Sequence, residues 1–396
     1  MKKVLLISSL YYPHVGGIER TIADLARFYR DKGIDAVVLT KKWPVYLSDT
    51  DEHDGVKIYR IASARLKDEF EGVVDWIKVN GSVIKSDIIH VIGIRRPMPL
   101  IGLLLARLWK VPLMCTIAGG DIPDKIDPAP LRVWEEGRGI VPESLKQADE
   151  VNCVSLALVR DIKAQMPGLA RVRLLYAGTD ISFFKGIKAV VAKRPYIFSL
   201  RRLDPSKGID ILIKAFNLIK KTFPDLDLII AGEGPEEKKL KELAGSFRLN
   251  NRVKFIGTVE FKRGISLLKG AELAVVPSLS EGGGLVNLEA QASGCPIVAS
   301  RVGGIPEYLR ENESGVLFEP GNPDDLADKI LTLLSSKDLR GKISKGGLEY
   351  VKRFDWELLV SEYIHSYARI IESYDKNKEF KPWSGLTAGL WSKLNS

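Results

Sequence analysis

Cysteine is scarce: three residues in a chain of 396, Cys115, Cys153 and Cys295, each set in an apolar run. An odd and scattered set makes neither a disulfide framework nor a CxxC metal site, which points to a reducing compartment. Long apolar stretches are missing too. The greasiest segment, 97–114, carries Arg107 and Lys110 and falls short of the ~18 uninterrupted residues that a spanning helix needs. The opening Met1-Lys2-Lys3 and the apolar residues 4–7 imitate a secretory leader. That run is short and passes into Tyr11-Tyr12-Pro13-His14 without a small-residue cleavage site, so a first strand is expected there and a cytoplasmic location with it. Low-complexity tracts, short repeats and a Walker A sequence are likewise absent.

Charge is not concentrated anywhere. The net charge is +9, from 59 Lys+Arg against 50 Asp+Glu. Residues 1–190 hold 28 basic and 23 acidic groups, leaving 31 and 27 for the remainder, an excess of +5 and +4. A nucleic-acid binder gathers its cations into a stripe or tail, so no nucleic-acid partner is expected. A mild, even surplus suits phosphate-bearing small substrates and anionic lipid surfaces alike.

What the chain does have is alternation. With 45% hydrophobic and 28% charged residues it has the balance of a globular protein, and its length predicts about two or three domains. Short β-branched apolar runs at 4–9, 36–40, 88–92, 113–117 and 151–154 alternate with stretches of helical period, the pattern of βαβ units and parallel sheets. Between the first two, Ile18, Ile22, Leu25, Ala26 and Tyr29 share one helical face, and Gly33 is placed to cap its end. A second series runs through 196–200, 226–231, 253–256, 273–277, 296–299 and 315–318, with helices such as 209–222 and 285–293 between. Polar and small residues at 178–194 separate the two series. The expected fold class is α/β: two doubly wound domains facing across a cleft, 1–190 and 191–355. In sheets of this kind ligands bind at the carboxyl ends of the strands.

That rule sorts the motifs. Asp225-Leu226-Asp227 spells a metal-holding DxD but opens a strand at the wrong end, and reads as a solvated strand start. Asp49-Thr50-Asp51 sits in a polar stretch, 48–55, that imitates a calcium loop, but Arg60 stands where an EF-hand needs glutamate. Gly232-Glu233-Gly234 lacks the third glycine of a dinucleotide fingerprint, whose place Glu237 occupies. The segment from Ser278 to Ala290 is different. It follows the strand 273–277, and Gly282, Gly283 and Gly284 strip side chains from the point where a helix begins at Leu285. Backbone N–H groups and the helix dipole there attract an anion. Glu281 precedes the helix and Glu289 lies eight positions on, up to ~12 Å along the axis. Such a span fits a ligand with a polar group at each end and a diphosphate between. Glu289 also stands among Leu285, Leu288, Ala290 and Ala292, where an unpartnered carboxylate is costly.

Glu281-x7-Glu289, followed by Ala290-x-Ala292-Ser293-Gly294-Cys295-Pro296-Ile297-Val298-Ala299 and Val302-Gly303-Gly304-Ile305-Pro306-Glu307, resembles the donor-binding signature of retaining glycosyltransferases of family 4. The resemblance extends from Val4 to about Ser373. It implies the GT-B architecture, two Rossmann-like domains across a cleft, and a helix near 356–375 folding back on the first domain, with 376–396 a tail beyond it. Arg202-Leu203-Asp204-Pro205-Ser206-Lys207-Gly208 is similar to the family's Arg/Lys pair that clamps the donor diphosphate. The glycine that usually precedes that arginine is Arg201 here, and the spacing to Lys207 selects Arg202. Pro13-His14-Val15-Gly16-Gly17-Ile18-Glu19 resembles the glycine-rich loop in which Gly16 and Gly17 bring backbone amides to the transferred sugar or its phosphate. Gly232, Gly234, Gly257 and Val259 stand where relatives enclose the nucleobase.

The resemblance implies a division of labour: Glu281 on the sugar hydroxyls, Glu289 on the ribose, Arg202 and Lys207 on the departing diphosphate, and Gly282 to Leu285 assisting the phosphate. Two cations at a strand's carboxyl end would stabilise the charge that develops on that group. Transfer is expected with retention, and the departing phosphate itself can take the acceptor's proton. No metal and no cofactor beyond the nucleotide diphosphate sugar are implied. A family histidine in a Thr-x-His-Gly pattern is replaced by Ala118 in Thr116-Ile117-Ala118-Gly119-Gly120-Asp121, leaving Asp121 as the ionisable candidate for sugar or acceptor contact and His14 as a second. The expected activity is transfer of a hexosyl unit to a hydroxyl acceptor, glycan or lipid-linked. A nucleotide-sugar epimerase or phosphorylase of the same architecture, or a non-catalytic transferase-like subunit, is the alternative. The tail mixes lysines with Trp383 and Trp391, and Arg95-Arg96 adjoins the apolar 97–105, a pairing that suits peripheral contact with the inner face of the membrane.

Overall fold

A computed structural model describes residues 1–14, 16–62, 71–120, 122–123 and 139–395. These fall into two compact units. The first comprises the described residues up to Ala177 together with those from Trp356 onward, and the second is Gly178–Asp355.

In the first unit eight strands form one sheet in the order β3-β4-β2-β1-β5-β6-β7-β8. They are β1 (Lys3–Ser8), β2 (Asp35–Lys41), β3 (Thr50–His53), β4 (Val56–Ile61), β5 (Ile88–Ile92), β6 (Leu113–Ile117), β7 (Glu150–Cys153) and β8 (Val172–Leu174). All pairings are parallel except β3 with β4. Helices cover both faces, so the strands are apolar without alternation: Val4 to Ile7 have no exposed surface. The amphipathic helix Gly17–Asp31 follows β1, and Gly33 closes it with φ +74° and an N–H donated to the Arg30 carbonyl. Two sequence readings need correction. The stretch 48–55 is not a loop but the start of a hairpin, β3 turning into β4 through Asp54 and Gly55, both at positive φ. An Asp-Gly pair in that conformation is the turn that suits the twist of two antiparallel strands. In the second unit Asp227 is not solvated: it is buried at the head of a strand, with Lys254 Nζ at 2.6 Å.

Helix Trp356–Glu372 belongs to the first unit and is locked there by a buried polar chain. Tyr29 donates to the Tyr367 hydroxyl at 2.9 Å, and that oxygen lies 2.6 Å from His90 Nδ1. His90 Nε2 in turn is 2.6 Å from Thr116 Oγ1. Burial pushes the His90 imidazole down to about 3, so it is neutral at ordinary pH. Buried Glu150 accepts from Ser366 at 2.7 Å and pairs with Arg369 at 2.8 Å. Beyond the helix, Lys378 reaches buried Asp149 at 2.7 Å, and Phe380 packs in tilted ring contacts against Trp391 (5.1 Å between centroids) and Trp383 (5.8 Å). The final helix, Gly385–Asn395, buries Thr387, Leu390 and Leu394. No described helix is long and apolar enough to cross a membrane. The three cysteines are buried free thiols, pushed up by that burial.

The second unit is an all-parallel, six-stranded sheet in the order β11-β10-β9-β12-β13-β14. Its strands are β9 (Tyr196–Leu200), β10 (Asp227–Ala231), β11 (Val253–Phe255), β12 (Leu273–Val276), β13 (Ile297–Ser300) and β14 (Val316–Phe318). One face packs Ile197, Leu228, Val275 and Val298 under helices Ile209–Ile219 and Pro323–Ser335. The other packs Tyr196, Phe198, Ala274 and Ile297 under helices Phe261–Gly270 and Leu285–Ala292. The order places the carboxyl ends of β11, β10, β9 and β12 side by side, ~5 Å apart from one to the next.

Candidate functional site

Two of those strand ends feed the loops that carry the donor signature. From β9 the chain passes through Arg201 and Arg202 into a turn at Pro205–Lys207 and then the helix Ile209–Ile219. From β12 it passes through Ser278 and Glu281 into the glycines that precede helix Leu285–Ala292. The two loops are stitched together by backbone bonds, Leu279 N–H and Ser280 N–H donating to the Ser206 carbonyl at 2.8 and 3.2 Å. Glu281 is fixed from behind by Gly304 N–H at 3.2 Å. Neighbouring Gly303, at φ +53°, presses so closely on the Glu281 carbonyl that a Cβ there would lie 1.9 Å from the oxygen.

This framework makes a compact cluster of charge. One oxygen of Glu281, Oε2, accepts from Arg201 Nη2, from Lys207 Nζ at 3.2 Å and from Ser278 Oγ at 3.3 Å. The same Arg201 nitrogen donates to Ser278 Oγ at 2.5 Å. Burial alone would raise the Glu281 carboxyl, but the Arg201 guanidinium and the Lys207 ammonium outweigh it and hold it at about 2. The carboxylate is therefore ionised throughout the physiological range.

The arginine of this cluster is Arg201, not Arg202. Arg202 keeps 68% of its side chain exposed and turns to Asp204, which accepts from its Nη2 at 2.7 Å and its Nε at 3.0 Å. Asp204 in turn takes the Ser206 hydroxyl at 2.5 Å. Glu281 and Lys207 are thus brought together, while the guanidinium beside them comes from the residue that stands in the glycine's place.

Gly282, Gly283 and Gly284 run directly from Glu281 to the helix start at Leu285, with Gly284 as the N-terminal cap residue. The positive end of that helix lies on the same loop as Glu281, the carboxylate that the cation pair meets. Glu289 is half-buried on the helix, between Leu288 and Ala290, which are fully buried. At the neighbouring strand ends Gly232 N–H donates to the Gly257 carbonyl at 2.8 Å, joining the exits of β10 and β11, with Gly234 and half-buried Val259 beside them. Gly232 has φ +129°, and a Cβ on it would meet the Arg201 carbonyl at 1.9 Å. Its glycine thus serves the backbone that aims Arg201.

In the first unit, extended Gly16 and exposed Gly17 open helix Gly17–Asp31 at the carboxyl end of β1. His14 Nε2 lies 2.9 Å from the Trp43 carbonyl. Thr116, Ala118 and Gly119 follow or end β6 as expected, and Asp121 lies outside the described residues.

Two family profiles tile most of this chain. Glycosyltransferase Family 4 matches residues 15–183 and Glycosyl transferases group 1 matches residues 180–350. The chain belongs to these glycosyltransferases. It is 28% identical to an uncharacterized glycosyltransferase of Methanocaldococcus jannaschii, over 90% of this chain and 95% of that protein. It is 27% identical to a D-inositol 3-phosphate glycosyltransferase of Acidothermus cellulolyticus, over 86% of this chain and 83% of the relative. Among solved structures, sucrose-phosphate synthase from Thermosynechococcus elongatus superposes with a TM-score of 0.82 at 21% identity, covering 94% of this chain and 100% of the other. Anabaena HepE in complex with UDP and glucose gives 0.75 at 21% identity, covering 93% of this chain and 100% of the other. The glycosyltransferase fold is GT-B, two mostly parallel sheets with alternating helices.

Proposed function

We propose that this glycosyltransferase moves a hexosyl unit, with retention, from a nucleotide diphosphate sugar to a hydroxyl of a glycan or lipid-linked acceptor. The observation that carries the reading is the cluster at the carboxyl edge of the second sheet. Two cations and a carboxylate converge there beside a glycine-lined helix start, an arrangement suited to a diphosphate with a sugar at one end. The fold shared with HepE, whose structure holds UDP and glucose, supports a nucleotide sugar as donor.

In this reading Lys207 faces the charge that develops on the departing diphosphate, with the helix start at Gly282–Leu285 beside it. Glu281 holds sugar hydroxyls and Glu289 the ribose. Gly232, Gly234, Gly257 and Val259 line the base. Gly16 and Gly17 offer backbone amides to the transferred sugar, and the leaving phosphate takes the acceptor's proton, so no protein base or metal is required. Arg202, turned to Asp204, stands outside the Glu281 cluster.

Hydrolysis of UDP-, GDP- and ADP-sugars by the full chain tests the donor, and anomeric NMR of the product tests the stereochemistry. An α-sugar donor should give an α-linked product; a β-linked one removes the retaining mechanism. Peripheral membrane contact is part of the same reading. It is motivated by Lys376, Lys381 and Lys393, all exposed around the half-buried Trp383 and Trp391.

A further inference from the structure

We propose that Glu281 is the resident counter-ion of the two-cation site, and that a nucleoside diphosphate binds by drawing Lys207 away from it while Arg201 keeps the carboxylate in place. The inference rests on the donor reading above and adds to it an internal exchange of anions, with Arg201 as a positioning residue.

The two cations differ in how firmly they are held. Arg201 has 5% of its side chain exposed and bonds both Glu281 Oε2 and Ser278 Oγ through one nitrogen. Its Nε is buried without a hydrogen-bond partner. That uncompensated donor is tolerable only because the charge-assisted contact next to it is strong. Nothing about this guanidinium is arranged to leave. Lys207 is 21% exposed, sits at 3.2 Å and ends a flexible four-carbon stem. It is the partner that can turn outward.

Both cations meet the same oxygen of Glu281, so the site without a ligand is already neutralised in part by its own carboxylate. An incoming diphosphate must compete with that carboxylate for Lys207. Once Lys207 has turned, Glu281 Oε2 has lost one of its three donors and can accept from a sugar hydroxyl. Arrival of the diphosphate would thereby ready Glu281 for the sugar. Arg201 makes the exchange possible: with the guanidinium gone, Lys207 would be the sole cation left to Glu281 and would be held more tightly.

A double-mutant cycle read by calorimetric titration of UDP, GDP and ADP separates this from a direct phosphate contact. Glu281→Gln, which keeps an acceptor for Arg201 and removes the charge, should tighten binding of the preferred nucleoside diphosphate about 3- to 10-fold. The gain should vanish or reverse when the titrant carries its sugar. Arg201→Gln should weaken diphosphate binding about tenfold in the wild-type background and have little effect beside Glu281→Gln. Arg201→Lys, which restores the cation, should recover most of the loss, and melting of each variant without nucleotide checks that it is folded. An Arg201→Gln penalty of equal size in both backgrounds would mean that Arg201 touches the phosphate itself and overturns the proposal. Weaker diphosphate binding by Glu281→Gln overturns it as well. If the wild type binds none of the three diphosphates, the donor reading itself has failed.

Discussion

Glu289 illustrates how far a single residue can be judged from its neighbours. It is a half-buried carboxylate between fully buried Leu288 and Ala290, a position that calls for a polar ligand or partner. Glu289→Ala should weaken binding of the preferred nucleotide sugar by ~1.5–3 kcal/mol, the worth of a charge-assisted hydrogen bond to the ribose. Calorimetric titration checks this, and unchanged affinity in a folded variant would remove Glu289 from the site. Arg201 was harder to see. The motif's spacing pointed to Arg202, yet a signal was available in the pleat. In β9, Ile197 packs into one core while Tyr196, Phe198 and Leu200 face the other. Successive residues alternate, so Arg201 continues the Ile197 side and Arg202 the opposite one. Spacing to Lys207 carries no information about side, which is why it did not show that Arg201, and not Arg202, is the arginine that meets Glu281.

At the scale of elements, most strands of both sheets were legible because buried parallel strands are continuous apolar runs, and those begin and end within a residue of the expected positions; the three-residue edge strand β8, Val172–Leu174, was too short to read. The hairpin of β3 and β4 was not legible by that test. Thr50–His53 is a polar edge strand, and its acidic residues suggested a metal loop instead of the Asp54-Gly55 turn that forms. The helix Trp356–Glu372 was readable from its period, but its attachment through His90 was not, since a lone histidine in an apolar strand names no partner. That attachment has a pH signature. His90 is held neutral, with its folded value at about 3 against an unfolded 6.5. Between those values the unfolded chain binds a proton that the folded one refuses, so stability must fall as pH drops through this window. The slope approaches ~1.4 kcal/mol per pH unit for this one group. Urea unfolding at pH 7 and pH 4.5 should show that loss in the wild type and a smaller one in His90→Gln. An identical difference in both proteins would contradict the role given to His90.

On the scale of the whole molecule, the two series of strands and the polar stretch between them were enough to read two α/β units from sequence. The tail was less transparent, because tryptophan and lysine look the same whether they meet lipid or protein. In the structure Phe380, Leu390 and Leu394 are buried in the first unit and Lys378 pairs with Asp149. Ending the chain at Asp375 should therefore cost about 2 kcal/mol or more, visible as earlier thermal melting. Sedimentation with anionic and neutral vesicles, comparing the two lengths, tests the membrane contact separately: equal, negligible pelleting of both would dismiss it.

The central claim is that the cluster of Glu281 and Lys207, at the carboxyl edge of the second sheet, is where a nucleotide diphosphate sugar loses its sugar. It is tested most directly by turnover of the preferred nucleotide sugar in wild type and Lys207→Ala. The account predicts a loss of ~10²-fold or more in the variant, since a cation facing leaving-group charge is removed, with melting little changed. Full turnover in a variant that merely melts earlier would contradict it and leave Lys207 a structural residue.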